Sequence, residues 1–375
     1  MRLKALFTGG GTAGHVAPNI AVIEELTKIA KRRDVDLDIL YVGRFRGIER
    51  DLILKERLKY KGVFSGKIRR YFSWRNFTDP ILVFFGFFQS IFIVFSFKPD
   101  VVFAKGGFVT VPVGLAAWIR KIPLIVHESD SMLGLSNKVL SKIATRLALG
   151  FPLELYRGIP LSKAIFTGNP VRKDVKEFDL NRDELCAKYG FNKRWPFLLV
   201  LGGSQGAQRI NELIDSILEK MVSTYTVVHS VGAKGAGHFK ERRAMMKEDL
   251  KKNYLAFSFI QEEMGDFLNA ADLIISRAGA NAISEILFVK KPSILIPFPY
   301  ASSDHQNKNA LFLQKEGLAS VLEERHLTGY KLLEEIDYLL ANKKEMEKMN
   351  GNMEEKFSIN SEKLIAEEIL KFCKD

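Results

Sequence analysis

A buried strand, a glycine-rich turn and a helix follow one another at the start of the sequence, and the same unit returns in its second half. The apolar run Leu3 to Thr8 predicts a strand, and apolar spacings of three and four from Val16 to Leu26 predict a helix, so Gly9 to Gly14 is the turn between them. The second unit has a strand at Phe197 to Leu201 and a glycine turn at 202–206. Two such units, each followed by alternating strands and helices, predict an α/β fold of two doubly wound parallel sheets, in two domains that face a cleft.

The glycine turns predict anion binding. Glycine lets backbone amides approach a ligand closely, and a helix N-terminus favours negative charge. The first turn is not the dinucleotide fingerprint, because His15 stands where that motif keeps a small residue, and none of the turns is followed by the Lys-Ser or Lys-Thr of a Walker loop. A strand-to-helix connection without a ligand is the alternative for this turn taken alone.

Further elements complete the two halves. Apolar runs predict strands at 37–42, 101–104, 124–127, 226–230, 272–276 and 293–297. A third glycine turn, at Arg277 to Gly279, opens another helix, and Asn360 to Lys374 predicts an amphipathic helix with Ser361 as its cap. The segment Phe166 to Arg172 lies between the halves, so we predict domains at 1–168 and 169–355 and a final helical segment at 356–375.

Positive charge is concentrated in the first half of the chain. Residues 1–170 hold 26 Lys and Arg against 13 Asp and Glu, whereas the other residues hold 30 against 31. Such asymmetry predicts that one half faces an anionic surface, either nucleic acid or phospholipid. No nucleic-acid-binding motif accompanies the charge, so we expect an anionic membrane surface and no nucleic acid.

A phenylalanine-rich stretch lies within this basic half. Basic and aromatic residues at 67–75 lead into Ile81 to Phe97, which is interrupted by Gln89 and Ser90 and is slightly short for a membrane span of roughly 20 apolar residues. We predict a crossover helix with an exposed apolar patch, and the alternative is an oversized buried helix. A helix carrying Lys138, Lys142 and Arg146 on one face would add a contact to anionic lipid, unless this stripe is simply solvated.

Several classes of chemistry lack their residues. Cys186 and Cys373 form no disulfide framework, no Gly-x-Ser-x-Gly elbow is present, and no His and carboxylate cluster has metal spacing. No secretory leader opens the sequence, so we expect a cytoplasmic protein. The remaining features favour a nucleotide-diphosphate sugar as ligand, with His15 or a neighbouring residue accepting a proton from an alcohol and Glu285 binding ribose hydroxyls. His15 as a capping or core histidine, and Glu285 as a helix-dipole partner, are the alternatives.

A series of motifs runs in order along most of the chain. They are Gly9-Gly-Gly-Thr-Ala-Gly-His15-Val-Ala-Pro18, Lys98-Pro-Asp-Val-Val102, Gly106-Gly-Phe-Val109, His127-Glu128, Gly134-Leu-Ser-Asn-Lys138, Gly168-Asn-Pro-Val-Arg172, Gly202-Gly-Ser-Gln-Gly-Ala207, Ser276-Arg-Ala-Gly-Ala280 with Ser284-Glu285, and Asp304-His-Gln306. Together these motifs resemble the MurG family, whose members add N-acetylglucosamine to lipid I to give lipid II, the peptidoglycan precursor of the bacterial cell wall.

The resemblance implies a GT-B glycosyltransferase fold, a reaction that inverts the anomeric centre without bound metal or cofactor, and a peripheral position at the cytoplasmic face of the inner membrane. The first domain would bind lipid I, the second would bind UDP-N-acetylglucosamine, and the last helix would return to the first domain. His15 would be the base, with Glu128 as a second catalytic residue. The implied substrate-binding residues are Thr12, Ala13, Gly14, Asp130, Arg172, Ser204, Ile260, Ala280, Asn281, Ala282, Ile283, Ser284, Glu285 and Gln306.

Two departures from the family pattern concern the site. Ser129-Asp130 stands where the family usually has Gln-Asn, which replaces an amide by a carboxylate that only accepts hydrogen bonds, and Ala13 replaces a usual glycine. Either change bears on sugar or acceptor preference. Two other functions therefore stay open: a related GT-B transferase with a different lipid acceptor, and a membrane-bound scaffold that binds the nucleotide sugar without turnover.

Overall fold

The structure, a computed structural model, describes residues 1–11, 13–66, 75–202, 207–260 and 262–374. The chain forms two compact units, the first from Met1–Val171 with Ile359–Asp375 and the second from Arg172–Ser358. Both boundaries lie three residues beyond the predicted 168 and 355. The first shift has a visible cause: the backbone N–H of Val171 donates to the Glu362 carboxylate at 2.5 Å, which keeps Val171 with the first unit.

The first unit is built on a seven-stranded parallel sheet. Its strands are β1 (Arg2–Thr8), β2 (Asp36–Arg44), β3 (Lys59–Val63), β4 (Val101–Ala104), β5 (Leu124–Glu128), β6 (Arg146–Leu149) and β7 (Ala164–Phe166). Their order across the sheet is β3-β2-β1-β4-β5-β6-β7. The order therefore reverses between β1 and β4, which is where doubly wound sheets bind ligands beyond the carboxyl ends of their strands.

Within the described residues, the following helices accompany this sheet. They are α1 (Ala13–Arg32), α2 (Ile48–Lys55), α3 (Arg75–Phe97), α4 (Thr110–Ile119), α5 (Leu135–Leu140) and, after the second unit, α16 (Ser361–Leu370). Helix α16 packs against α1, and its Ile365, Ala366 and Ile369 join the core formed by β1 and α1. This return of the chain completes the first unit.

The second unit has a six-stranded parallel sheet of the same design. Its strands are β8 (Phe197–Leu201), β9 (Thr226–Ser230), β10 (Tyr254–Phe257), β11 (Leu273–Ser276), β12 (Ser293–Leu295) and β13 (Ser320–Val321). They are ordered β10-β9-β8-β11-β12-β13, so the order reverses between β8 and β11. The predicted α/β class with two doubly wound parallel sheets is confirmed.

The helices of the second unit lie in the segments before, between and after its strands. They are α6 (Lys173–Lys176), α7 (Arg182–Tyr189), α8 (Gln208–Val222), α9 (Gly232–Ala244), α10 (Glu248–Lys251), α11 (Met264–Ala270), α12 (Ala280–Val289), α13 (His305–Lys315), α14 (Gly329–Ala341) and α15 (Lys343–Phe357). Helix α12 follows β11 directly, with Gly279 as its N-cap residue. Its first turn therefore stands at the point where the strand order of this sheet reverses.

Three local predictions were wrong. The helix expected to carry Lys138, Lys142 and Arg146 ends at Leu140, and Arg146 begins β6, so the three cations do not share a helical face. The cap of α16 is Asn360, whose side chain accepts from a backbone N–H of the first turn, and not Ser361, which is the first helical residue and is buried. Helix α1 begins at Ala13, inside the predicted turn.

Candidate active site

Two glycine turns meet at the reversal point of the first sheet. The N–H of Gly10, beyond β1, is 3.4 Å from the carbonyl oxygen of Gly106, beyond β4. A Cβ on Gly107 would lie 2.2 Å from the carbonyl oxygen of Gly10, and Gly107 has a φ of +90°. Both the contact and the backbone conformation require glycine at position 107.

His15 lies on the first turn of α1, beside these glycines. A Cβ on Gly106 would be 3.5 Å from His15 Cε1 and 3.6 Å from Asn137 Nδ2, so the imidazole and the Asn137 amide border the same glycine. No hydrogen bond joins the imidazole to any residue within the described ranges. Burial, assisted by the positive charge of Lys105, lowers the pKa of His15 to about 4, so the imidazole is unprotonated at neutral pH.

The Glu128 carboxylate at the end of β5 organises the loop that follows it. It accepts hydrogen bonds from the N–H groups of Ser129 (2.8 Å), Asp130 (3.1 Å) and Gly134 (2.8 Å) and from Asn137 Nδ2 (2.9 Å). Burial and the nearby charge of Asp130 raise the pKa of Glu128, and these donors act against that rise. The predicted catalytic carboxylate thus fixes the loop and the Asn137 amide that lie next to His15.

A buried cation stands beside this loop. Lys105 is 1% exposed, and its Nζ lies 2.8 Å from His127 Nδ1 and donates to the hydroxyl of Ser129. Burial lowers its pKa to about 7. Sequence reasoning missed Lys105, and the available signal was a lysine that opens a glycine turn directly after a buried strand.

The negative charges of two acidic side chains act on His15. Asp130 follows β5 and Glu49 lies on α2, and both charges tend to raise the pKa of His15. Glu49 is itself buried and paired with Arg44, whose Nε lies 2.7 Å from Glu49 Oε1. Burial tends to raise the pKa of Glu49, but Arg44 holds it below its usual value. Asp130, the departure from the family pattern, is therefore close enough to influence the candidate base electrostatically.

The second unit brings two predicted site residues together at its own reversal point. Glu285 on α12 accepts from Arg172, with 2.9 Å between Nε and Oε1, and Arg172 also lies 3.2 Å from Asp174. Burial raises the pKa of Glu285, while Arg172 favours its charged form. The pair places a guanidinium beside the second turn of α12, a helix whose N-terminus favours anions.

The remaining predicted site residues lie in several different elements, and two of them lie outside the described residues. Thr12 and Ser204 lie outside the described residues, Ala13 and Gly14 begin α1, and Ala280 to Ser284 form the first part of α12. Ile260 is buried shortly after β10, and Gln306 on α13 accepts from the N–H of Phe298 at 3.0 Å. Within the described ranges, no three His, Cys, Asp or Glu side chains are grouped as metal ligands.

Comparison with known proteins identifies the family. The glycosyltransferase family 28 N-terminal domain matches residues 5–149, and the C-terminal domain of the same family matches residues 197–369. A relative from Clostridium botulinum strain Kyoto, named UDP-N-acetylglucosamine--N-acetylmuramyl-(pentapeptide) pyrophosphoryl-undecaprenol N-acetylglucosamine transferase, is 41% identical over 99% of both chains. The chain belongs to the MurG family of glycosyltransferases. The resemblance that the motifs indicated is thereby confirmed.

Other comparisons agree with this membership in the MurG family. A Bacillus cereus relative with the same name and the number 2 is 38% identical over 93% of this chain and 96% of its own. The crystal structure of MurG from Acinetobacter baumannii matches 98% of this chain and 99% of its own, with a TM-score of 0.75 at 23% identity. A UDP-GlcNAc 2-epimerase from Neisseria meningitidis, bound to UDP-GlcNAc, has a TM-score of 0.68 at 17% identity over 99% of this chain and all of its own. These structures share the fold, and the sequence relatives identify the family.

Proposed function

We propose that this chain is an inverting glycosyltransferase that moves N-acetylglucosamine from UDP-N-acetylglucosamine to the muramyl 4-hydroxyl of lipid I, giving lipid II. The observation that carries the proposal is 41% identity over 99% of both chains to a transferase of that name. The buried, unprotonated His15 and the Arg172–Glu285 pair give the reaction a proton acceptor and a diphosphate-binding group. Both lie where doubly wound sheets bind their ligands.

His15 is the proposed general base. In a single displacement the acceptor hydroxyl attacks the anomeric carbon, its proton passes to the imidazole, and the bond to the UDP oxygen breaks, so UDP leaves with the electron pair. A base must be unprotonated before the reaction, which the lowered pKa of His15 ensures. The diphosphates of the two substrates bring negative charge, which raises the pKa of the imidazole as they bind and strengthens it as a base.

Glu128 has a supporting role in this proposal. Its carboxylate accepts the four hydrogen bonds that fix the loop after β5, so it determines where Asn137 and Asp130 lie relative to His15. A direct proton transfer to Glu128 is the second possibility, and it is favoured by the raised pKa that burial gives to this group. Glu128→Gln distinguishes the two, because a positioning role changes the KM for lipid I, whereas proton transfer changes the acidic limb of kcat.

The second unit is proposed to bind the donor. The N-terminus of α12 and the Arg172 guanidinium attract the diphosphate, and the free oxygen of Glu285 accepts from ribose hydroxyls. The proposed donor contacts further comprise Thr12, Ala13, Gly14, Ser204, Ile260, Ala280, Asn281, Ala282, Ile283, Ser284 and Gln306, with Asp130 near the sugar. Stabilising the leaving UDP by fixed dipoles and a guanidinium is the electrostatic contribution expected of such a site.

A membrane contact on the first unit is part of the proposal. Helices α3 and α4 pack against each other, and both carry exposed apolar side chains. These are Ile81, Leu82, Phe84, Phe85, Phe88, Phe92, Phe95, Trp118 and Ile119. Phe92 is 74% exposed, and the Arg120 guanidinium lies 3.9 Å from the centre of the Phe95 ring. None of the helices within the described ranges meets the length and hydropathy of a membrane-crossing segment. An apolar face flanked by arginine fits the interface of an anionic bilayer, here the cytoplasmic face of the inner membrane.

The reaction is tested by mixing purified protein with UDP-N-acetylglucosamine and a lipid I analogue and measuring UDP release together with the disaccharide product. We expect both, with loss of turnover in His15→Gln. Release of UDP only with a different lipid acceptor would instead favour the related transferase. If the donor raises the melting temperature and no acceptor is consumed, the chain is a nucleotide-sugar-binding scaffold and the proposal is wrong.

The membrane contact is tested by sedimentation with vesicles of phosphatidylglycerol and phosphatidylcholine. We expect Phe88→Ser and Phe92→Ser together to lower the bound fraction at least tenfold, because each removes buried apolar area in the interface. Phe178→Ser, an exposed phenylalanine of the second unit, is the matched control and leaves binding unchanged. Equal binding of the double variant and the control would refute the assigned surface.

A further inference from the structure

Lys105 is a buried lysine that is charged below its lowered pKa of about 7, and its two hydrogen-bond partners are neutral. Its Nζ lies 2.8 Å from His127 Nδ1 and donates to Ser129 Oγ, and no carboxylate within the described ranges is hydrogen-bonded to it. The nearest acidic charges that act on it are Glu128 and Asp130. Since Glu128 already accepts four hydrogen bonds from the loop, the ammonium group interacts with that carboxylate at longer range.

The tautomer of His127 follows from its second contact. Its Nε2 lies 3.1 Å from the carbonyl oxygen of Gly168, which accepts only, so Nε2 carries the proton. Nδ1 therefore presents a lone pair to Lys105, and the lysine is the donor in that hydrogen bond. Burial and the charge of Lys105 both lower the pKa of His127, which keeps the ring neutral. Lys105 thus links β4 to β5 and to the loop that begins at Ser129.

His15 lies close to this cation. Its imidazole borders Gly106, the residue that follows Lys105, and the positive charge of Lys105 opposes protonation of the ring. The charged groups that act on His15 are Lys105 from the turn after β4, Asp130 from the loop after β5 and Glu49 from α2. Of these only Lys105 favours the neutral imidazole, so it offsets the two carboxylates.

We propose that Lys105 is a positioning residue for the transfer reaction: its ammonium group fixes His127 and Ser129 and opposes protonation of the imidazole of His15. This inference rests on the proposed role of His15 as the base. Stability alone is a poor reason for a lysine here, because burying an ammonium group against a ring nitrogen and a hydroxyl is less favourable than burying a neutral side chain of similar length. The positive charge of Lys105 opposes protonation of His15, which a neutral residue would not do.

The test separates the charge of Lys105 from its hydrogen bonds. Lys105→Gln removes the charge and keeps a donor, Lys105→Met removes both, and Lys55→Gln removes an exposed lysine charge from α2 as the matched control. The pKa of His15 is measured by NMR titration of histidines labelled at Cε1, with His15→Gln to assign the signal. We expect the pKa to rise by about one unit, a tenfold change in proton affinity, in both Lys105 variants and to stay unchanged in Lys55→Gln.

Kinetics provide the second readout. The acidic limb of the pH profile of kcat/KM moves toward neutral pH by the same unit in Lys105→Gln, while activity at pH 8 changes less. An unchanged His15 pKa in Lys105→Gln overturns the inference, as does a uniform loss of activity at every pH, which is the sign of a merely structural role. If the wild-type protein transfers no sugar, the proposed function fails, but the NMR titration still decides whether Lys105 controls His15. Should Lys105→Met fail to fold, the Gln variant carries the test alone.

Discussion

Replacing Gly107 by alanine tests whether the two glycine turns of the first unit must touch. The new Cβ would lie 2.2 Å from the carbonyl oxygen of Gly10, a backbone atom that cannot move without shifting the turn after β1. The φ of +90° adds backbone strain for any residue with a Cβ. Two separate penalties therefore act at one position.

Gly158→Ala is the matched control because it carries only one of these penalties. Gly158 has a φ of +73°, and a Cβ there would meet nothing within 4 Å. We expect Gly158→Ala to cost about 1–2 kcal/mol of stability from strain. Gly107→Ala should cost about 2–5 kcal/mol, since overpacking adds about 1–3 kcal/mol.

Thermal unfolding of the two variants gives the readout. For a domain of about 150–250 residues, 1 kcal/mol corresponds to about 2–4 °C in Tm. Gly107→Ala should therefore lower the Tm about twice as far as Gly158→Ala, and it should also reduce transfer, because the shifted turn leads directly into His15. Equal Tm values for the two variants would show that the turns are not in contact and would refute the geometry of the site.

Three further predictions concern the donor pair, acid stability and the last helix. Glu285→Gln should weaken UDP binding by about 10- to 100-fold in calorimetry, since a charge-assisted bond contributes about 1.5–3 kcal/mol, and the exposed Glu354→Gln should not. Burial lowers the pKa of His229 to about 3, so the unfolded chain binds more protons between pH 6.5 and 3, and stability falls as pH falls through that window. Denaturant titrations at several pH values should show this fall, and the free energy of unfolding should change less steeply with pH in His229→Gln. An identical slope of that free energy against pH in the two proteins would contradict the prediction. Asn360→Ala should lower stability by about 1 kcal/mol through loss of the cap of α16, measured by unfolding, and an unchanged midpoint would exclude the cap.

The buried strands were the part of the fold that the sequence predicted best. The strands at Phe197 to Leu201 and Thr226 to Ser230 agree residue for residue with the structure. Phe197 to Leu201 is a continuous apolar run, which is typical of parallel strands covered on two faces, and every residue of Thr226 to Ser230 is likewise buried. The edge strands β7 and β13 have only three and two residues, are only partly buried, and were not predicted.

One of the three errors came from treating charge spacing as helical periodicity. Lys138, Lys142 and Arg146 recur every four residues, but the chain leaves the helix at Leu140 and enters a strand in which Leu147 to Leu149 are buried. Burial of those apolar residues in the sheet favours a strand at this position, whereas the spacing of the cations does not require a helix.

The site was predictable in its glycine turns and only partly in its side chains. His15 lies in the first turn of α1, Glu128 ends β5 and Glu285 lies within α12, so the sequence located the elements that carry them. Lys105 was missed because a lysine is almost never fully buried, and only the three-dimensional structure shows that its neighbours are an imidazole and a hydroxyl.

The order in which the chain is synthesised differs from the order in which its units can be completed. The strands of the first sheet emerge before the whole of Arg172–Ser358, yet the α1 surface that Ile365, Ala366 and Ile369 cover stays bare until α16 appears. The second unit, uninterrupted in sequence, is synthesised completely before the segment that completes the first. Until α16 is synthesised, the apolar surface of α1 in the unit that carries His15 is therefore uncovered. Exposed apolar surface of this kind promotes aggregation, so a chaperone would be most useful during this interval.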